Sequence, residues 1–498
     1  MSANTNGHPL SANTNGHPVR ANTNGHPVSA GTHGPSGSGG TNGKVWTPAG
    51  RPHETLTAPA IEPNGQVRPA VVLDVDLSDP LPSVPAVGSD GRRVEQAWML
   101  VRLFTEPIGT VLTDVPATGL RPADLGRAID AELGTVLAPR LAALDLTALP
   151  IDGITPGTEP PFLARRRDVL AAAPHITVVI CTRERPGALA RCLDSLLAQR
   201  YPGFRVLVVD NAPVTDATRE VVRSAARRGP VDYLREDKPG LSFARNAAVA
   251  AAGGEILAWI DDDEYADPHW LAEIARALAD HPEADVVSGV IVPAELETRA
   301  QMWFEQFGGH SKGRGFKPDV FGPATAHVQS PLYPLPPFGT GANMTFRPGV
   351  IERIGGFDTA LGAGTPAMGS EDTLAFTQVL ITGGTIVYQP TAVTHHYHRR
   401  DLDGLAKQMV GYGAGLTAAY TSLLLSRPGL LWPLLKLAPG ALRDLTGPGS
   451  LRVSTLKADF PRELLTANRR GMLAGPRAYL KGRRAARARV RNAPGGDR

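Results

Sequence analysis

The chain has 498 residues, 42% of them hydrophobic, and a formal net charge of +3. That length accommodates two or three domains with ordinary cores, and so small a net charge excludes a molecule drawn as a whole to nucleic acid. Two cysteines, Cys181 and Cys192, make neither a disulfide framework nor a zinc pattern, so a reducing, cytoplasmic setting is expected.

The first residues are polar and lack the apolar core of a secretory signal. They repeat: SANTNGHPL, SANTNGHPV and RANTNGHPV follow one another from Ser2 to Val28. Units this polar cannot bury a core, so a disordered tail and linker is expected over residues 1–68. The recurring His8, His17 and His26 read as loop residues with at most weak metal affinity.

From Pro69 the texture changes. AVVLDVDLS reads as a strand, and VEQAWMLVRLF with IGTVLTDVP as further strands or as a helix and a strand. LRPADLGRAIDAELGTVLAPRLAAL reads as helical. Residues 69–167 are therefore expected to form a small α+β module whose role is not legible.

From His175 strands and helices alternate. ITVVIC, FRVLVVD, VDYLRE, EILAWID and ADVVSGVIV read as strands. Between them run helical segments, the first opened by Pro186-Gly187 with Leu189, Cys192, Leu193, Leu196 and Leu197 on one face. This alternation predicts an α/β fold with a mostly parallel sheet flanked by helices. In such sheets ligands sit beyond the carboxyl ends of the strands. Polar groups gather there: Thr182-Arg183, Asp210-Asn211, Glu236-Asp237 and Asp261-Asp262-Asp263.

The run Asp261, Asp262, Asp263, Glu264 directly follows an apolar strand. Four adjacent anions repel, so water or a cation must compensate them. In an extended segment Asp261 and Asp263 would share one side and Asp262 the other. A solvated turn capped by Asp267-Pro268 is the plainer alternative.

Read in order, ITVVICTRERPGALARCLDSLLAQ, VLVVDNAPVTDATREVV, GLSFARNAAVAAAGGEILAWIDDDEYADPHWL, FGTGANMTFRPGVIERIGGFD, GSEDTLAF and VTHHYHRR resemble glycosyltransferase family 2. The resemblance spans roughly residues 175–420, with the domain itself expected over 175–400. It implies a GT-A fold and a metal-dependent, inverting transfer of a sugar from a nucleotide-sugar donor to an acceptor hydroxyl. Mg²⁺ or Mn²⁺ would suit the hard oxygen ligands. The resemblance puts Asp261, Asp263 and His396 at the metal, and Thr182, Arg185, Asp210, Arg245, Asp261 and Asp262 along the nucleotide-sugar, with Asp210 at the base. Which aspartate meets the ribose and which the metal stays open. Arg245 could equally hold one of the aspartates.

The same resemblance assigns Asp372, with Glu371 beside it, as the base that takes the proton of the attacking hydroxyl. Ser370 as a helix N-cap, with both acids in the first turn, is compatible with that role. Gly341 and Asn343 would line the acceptor site, and Gln301 to Pro337 would form a mobile acceptor loop. Strand alternation sets His396 and His398 on one face and His395 and Tyr397 on the other. Arg399 and Arg400 could hold the diphosphate.

Residues 401–498 read as helical, first apolar and then basic. LLLSRPGLLWPLLKLAPGAL is too interrupted, by Arg427, Pro428, Pro433 and Lys436, to span a membrane. From Leu451 to Arg498 there are thirteen Lys/Arg against three Asp/Glu. An apolar patch followed by a basic tail suits peripheral membrane contact through residues 421–498, and with it a lipid-linked or cell-surface glycan acceptor. A helix packed on the catalytic domain is the alternative. Two rival functions are a nucleotidyltransferase, for which CTRERPG is a weak phosphate loop, and a non-catalytic nucleotide- or carbohydrate-binding adaptor.

Overall fold

The structure, a computed structural model, describes residues 68, 70–252, 254–311, 314–325, 330–332, 338–446, 456 and 460–491. The N-terminal repeats and their histidines lie outside the described residues.

The first elements are β1 (Ala70–Asp76), β2 (Gln96–Leu103) and β3 (Glu106–Asp114), in sheet order β1-β2-β3. β1 runs parallel to β2, and β2 and β3 form an antiparallel hairpin. Of the two expectations for residues 94–116, strands prevail. β2 is buried along its whole length and feeds two cores by strict alternation. Ala97, Met99 and Val101 face the local core, whereas Trp98 and Leu100 join the core of the main sheet. The hairpin turn places Phe104 and Thr105 at positive φ, 52° and 68°. Asp76 offsets that strain by accepting both backbone N–H groups, at 3.0 and 2.6 Å. Helix α1 (Pro122–Ala142) covers the sheet with Leu125, Ile129, Leu133, Leu137 and Leu141, and α2 (Pro161–Leu170) follows.

The main sheet is built from β4 (Ile176–Thr182), α3 (Pro186–Leu197), β5 (Phe204–Asn211), α4 (Ala217–Ala225), β6 (Val231–Glu236), α5 (Leu241–Ala251) and β7 (Ile256–Ile260). There follow β8 (Glu264–Ala266), α6 (Trp270–Asp280), β9 (Val286–Pro293), α7 (Arg299–Gln306), β10 (Asp319–Phe321), β11 (Asn343–Phe346), α8 (Val350–Arg353), α9 (Glu371–Ile381) and β12 (Ile386–His396). Strand order is β10-β12-β9-β11-β7-β4-β5-β6, with β8 pairing β12. β7, β4, β5 and β6 are parallel, as the crossover pattern predicts. β12 and β9 are also parallel, and β11 is inserted antiparallel between β9 and β7. The result is an α/β fold with a large sheet flanked by helices.

Alternation distributes each strand between two cores. Leu257 and Trp259 of β7 face one side with Met344 and Phe346 of β11. Ala258 and Ile260 face the other with Leu189, Leu193 and Trp270. Because both faces are covered, the strands are rich in apolar residues, and the acids of β5 and β7 gather at and beyond their carboxyl ends.

The stretch expected to be a mobile acceptor loop is ordered at its start. α7 begins with a reciprocal capping box between Thr298 and Gln301, and Met302 and Phe304 are buried. Parts of the remainder lie outside the described residues.

The chain then forms α10 (Leu402–Ser426), a short 3-10 turn (Pro428–Leu430), α11 (Leu431–Thr446) and α12 (Arg462–Arg491). Among the described residues, no helix is long and apolar enough to cross a membrane. α10 and α12 pack backbone to backbone through glycines. A Cβ at Gly413 would overlap Asn468 O, and one at Gly471 would overlap Val410 O. Overpacking of this kind costs about 1–3 kcal/mol. Gly471→Val is expected to lower the denaturation midpoint accordingly, whereas Leu473→Ala, at an 85% exposed position, should leave the urea melt unchanged.

Candidate active site

The acidic run is a turn, not an extended segment. β7 stops at Ile260, and Glu264 N–H closes on Asp261 O at 3.2 Å. Asp262 and Asp263 therefore do not lie on opposite sides. Both bind Arg185, which leads into α3: Nη1 to Asp262 Oδ1 and Nη2 to Asp263 Oδ2 at 2.8 Å. Thr182, at the end of β4, donates to Asp262 Oδ2 at 2.6 Å. Asp263 Oδ1 lies 3.5 Å from His396 Nε2.

Each acid has its own environment. Burial pushes the Asp262 carboxyl up to about 6, against the pull of Arg185. Burial acts on Asp263 too, but the neighbouring His396 and Arg185 outweigh it and hold Asp263 below the usual carboxylate range. Asp261 remains 41% exposed, with Arg245 Nη2 at 3.9 Å. Glu264 turns into the core. Burial, reinforced by Asp261 and Asp263, pushes its carboxyl well above the ordinary value.

Arg245, on α5, is buried at the centre of the site. Its Nη1 donates to Glu371 Oε1 at 2.8 Å and its Nη2 to Gly341 O at 3.1 Å. Of the two expectations for this side chain, the one in which it holds protein carboxylates matches the geometry. Gly341 N–H in turn donates to Asp372 Oδ2 at 2.6 Å. Glu371 is buried, and its carboxyl is pushed up to about 7 despite Arg245. Asp372 stays partly accessible, and its Oδ1 accepts Thr373 N–H at 2.6 Å. Ser370 precedes the helix as expected but makes no side-chain cap; it sits instead in the left-handed region, φ 65°. Met368 is also there, at φ 67°. Two strained non-glycine residues immediately before the acids hold Glu371 and Asp372 at the mouth of α9.

β12 delivers the histidines. His396 Nδ1 lies 2.8 Å from His398 Nδ1, and His398 Nε2 lies 2.7 Å from Glu305 Oε1. On the other side, His395 stacks on Tyr265 at 4.3 Å and Tyr397 lies at 6.0 Å from the same ring. The expected alternation is thus observed. His310 joins the first group: with His396 and His398 it offers ligand atoms all within 4.8 Å of one another.

Asp210, at the end of β5, is fully buried. Tyr233 Oη donates to its Oδ2 at 2.9 Å, while Oδ1 has no partner within hydrogen-bonding geometry among the described residues. The neighbouring Asn211 ties the approach to α5, accepting from Gly240 N–H at 2.8 Å and donating to Lys238 O at 2.8 Å.

Two expectations are corrected. Asn343 cannot line an acceptor site: it is 1% exposed, donates to Val290 O and Ala392 O at 3.1 and 2.9 Å, and accepts from Trp270 Nε1 at 3.0 Å. It bridges strands, because a buried polar side chain must spend its hydrogen bonds. Gly341 lies against the site, where a Cβ would sit 2.8 Å from Arg245 Nη2 and 2.9 Å from Asp372 Cβ, so only glycine lets the backbone come this close. Arg400 does not reach the site. It binds Glu295 and Glu297 at 2.6 and 2.7 Å on the surface.

The structure therefore assembles Thr182, Arg185, Asp261, Asp262, Asp263 and His396 into one cluster. Arg245 joins it to Gly341, Glu371 and Asp372. The separation of Asp263 Oδ1 and His396 Nε2 suits two ligands each about 2.1 Å from one divalent ion, so this pair fits a cation. Sequence reasoning missed Glu305, which carried no motif. It named His398 only as a strand neighbour.

Comparison with known proteins bears on the family. The profile of glycosyl transferase family 2 matches residues 177–355. The succinoglycan biosynthesis protein ExoM of Rhizobium meliloti is 30% identical over 245 residues, 47% of this chain and 71% of that protein. The glucosyl-dolichyl phosphate glucuronosyltransferase of Haloferax volcanii is 26% identical over 197 residues, 38% of this chain and 57% of its own length. Among solved structures, the mannosyltransferase PcManGT of Pyrobaculum calidifontis, in complex with GDP-Man and Mn²⁺, is matched at 20% identity over 67% of this chain and 83% of that one, with a TM-score of 0.37. With the profile on the strand–helix region that carries the acidic turn, and a 30% identical relative covered over most of its length, the chain belongs to glycosyl transferase family 2.

Proposed function

We propose that this chain is a metal-dependent, inverting glycosyltransferase that moves a sugar from a nucleotide-sugar donor to an acceptor hydroxyl. The observation that carries this reading is the approach of Asp263 to His396, 3.5 Å, beside a partly exposed Asp261. Asp372 is coupled to the same cluster through Gly341 and Arg245.

Asp263 and His396, with Asp261 at the open side, would hold the cation, Mg²⁺ or Mn²⁺. A bound divalent ion neutralises the charge that grows on a diphosphate leaving group, an effect worth several kcal/mol. Arg185 holds Asp262 and Asp263 in place by charge and geometry. Asp210 keeps one acceptor oxygen unspent but is fully buried, so it meets the N–H edge of a nucleobase only where donor binding uncovers it. Asp372 takes the proton from the acceptor hydroxyl as that oxygen attacks the anomeric carbon. Its two oxygens each accept one backbone N–H, which orients the carboxylate and leaves lone pairs for the proton. A single displacement of this kind needs one base and inverts the anomeric centre. Glu371, bound to Arg245, positions that base.

The acceptor is proposed to be a lipid-linked or cell-surface glycan precursor reached at an anionic membrane face. The buried side of α12 is a stripe of Leu464, Asn468, Gly471, Gly475, Ala478 and Gly482. The opposite side carries Arg470, Arg477, Arg484 and Arg487, with Leu473 and Leu480 between them, all exposed. α11 adds Trp432, 72% exposed, with Leu431 and Leu435. Interleaved cations and large apolar side chains suit a headgroup interface better than free solution.

Three outcomes test the proposal. Asp372→Asn should keep donor binding in calorimetry while turnover falls by about 10²–10⁴, the usual worth of a general base; unchanged turnover would remove Asp372 from the chemistry, and an adaptor would have no turnover to lose. Nucleotide sugars with Mn²⁺ should raise the thermal midpoint of the native chain, and Asp263→Ala should abolish that rise. Sedimentation with vesicles containing anionic lipid should capture the full chain at low salt, with Arg477→Glu/Arg484→Glu reducing capture; equal capture by neutral vesicles would count against the electrostatic part.

A further inference from the structure

His396 is not the end of its own hydrogen-bond chain. His398 and Glu305 lie behind it, with side chains only 1% and 4% exposed. The contacts are short and ordered: Glu305 Oε1 to His398 Nε2 at 2.7 Å, His398 Nδ1 to His396 Nδ1 at 2.8 Å, and His396 Nε2 to Asp263 Oδ1 at 3.5 Å.

For His396 Nε2 to take a cation it must keep its lone pair, which puts the hydrogen of the ring on Nδ1. That hydrogen points at His398 Nδ1, 2.8 Å away, which accepts it when His398 carries its own hydrogen on Nε2, toward Glu305 Oε1. The contacts thus match the tautomer that a cation shared with Asp263 requires.

The chain is a built feature. Glu305 sits on α7, anchored by the Thr298–Gln301 capping box. Gly309, at φ 51°, closes over its carboxylate, which a Cβ there would strike. The Phe304 ring presses edge-on against His398, with centroids at 4.7 Å, and against His310 at 5.0 Å. Water is thereby kept from substituting for either contact.

We propose that Glu305 and His398 are positioning residues: they fix the tautomer and ring orientation of His396, so that its Nε2 is presented to the divalent cation shared with Asp263. The inference rests on the metal reading given above for Asp263 and His396. Outer partners of metal-bound histidines typically change metal affinity by about 10–100-fold.

Two measurements test this. In the full chain with ¹⁵N-labelled histidine, free of metal at about pH 8, long-range ¹⁵N–¹H correlation should find His396 protonated on Nδ1 and His398 on Nε2, with peaks assigned by His396→Gln and His398→Gln. His396 protonated on Nε2, or on both nitrogens, overturns the proposal. Second, Mn²⁺ affinity read by electron paramagnetic resonance should fall about 10–100-fold in Glu305→Ala and His398→Ala. Glu305→Gln, whose amide oxygen can accept the same N–H, should recover most of it; a merely structural loss would not be rescued this way. If Asp263→Ala loses Mn²⁺ while Glu305→Ala and His398→Ala keep it, the positioning role alone is overturned. If Asp263→Ala binds Mn²⁺ like the native chain, the metal reading fails and takes this proposal with it. Equal losses in His310→Ala and His398→Ala would make the three rings direct ligands, which also overturns positioning.

Discussion

The structure depends on compensating the negative charge gathered after β7. Two unit charges about 4 Å apart interact by about 4 kcal/mol at the effective dielectric of a protein surface, about 20. The turn Asp261–Glu264 concentrates four carboxyls, and the fold answers each from a different element. Arg185, entering α3, spans Asp262 and Asp263. Thr182 of β4 binds Asp262, and His396 of β12 faces Asp263. Arg245 of α5 lies near Asp261, and burial favours the protonated form of Glu264. The acidic turn thus ties the two halves of the sheet together, because its compensating groups come from both.

A second set of charges extends this arrangement outward. Arg102 on β2 reaches Asp74 at 2.6 Å and Asp267 at 2.7 Å, just past the acidic turn. Arg166 on α2 binds Glu273 on α6 at 2.8 Å, with both side chains at most 5% exposed. Buried pairs of this kind contribute little net stability, since desolvation offsets attraction, but removing one partner strands a charge. Their effect is to fix how the first three strands meet α6. Asp267 also accepts His269 N–H at 2.8 Å, so the bond to Arg102 and the turn before α6 share one carboxylate.

Much of the fold was legible because apolar strands and amphipathic helices alternate from His175 onward. The acids at the strand ends were legible for the same reason: a run of carboxylates is too costly to bury inside a strand covered on both faces. Other features were not. The insertion of β11 between β7 and β9 depends on long-range pairing that local pattern does not encode. α7 read as loop because its stretch carries glycines soon after, and only its capping box and buried aromatic residues reveal a helix. Asn343 looked available beside two glycines, yet tertiary packing surrounds it with backbone carbonyls and Trp270.

The amino-acid sequence by itself determined the α/β class, the place of the acids beyond the strands, and the two-sided histidine pattern of β12. Each follows from periodicity, which is local. Only the tertiary structure decided which acid meets which cation. In sequence Arg185 read as lining the nucleotide pocket and Arg245 as a partner of either phosphate or protein carboxylate, and in the folded chain both bind protein carboxylates. Only the tertiary structure, too, brought Glu305 behind His398, from 93 positions away in the sequence. Charge pairing acts over a few ångströms in space and takes no account of distance along the chain.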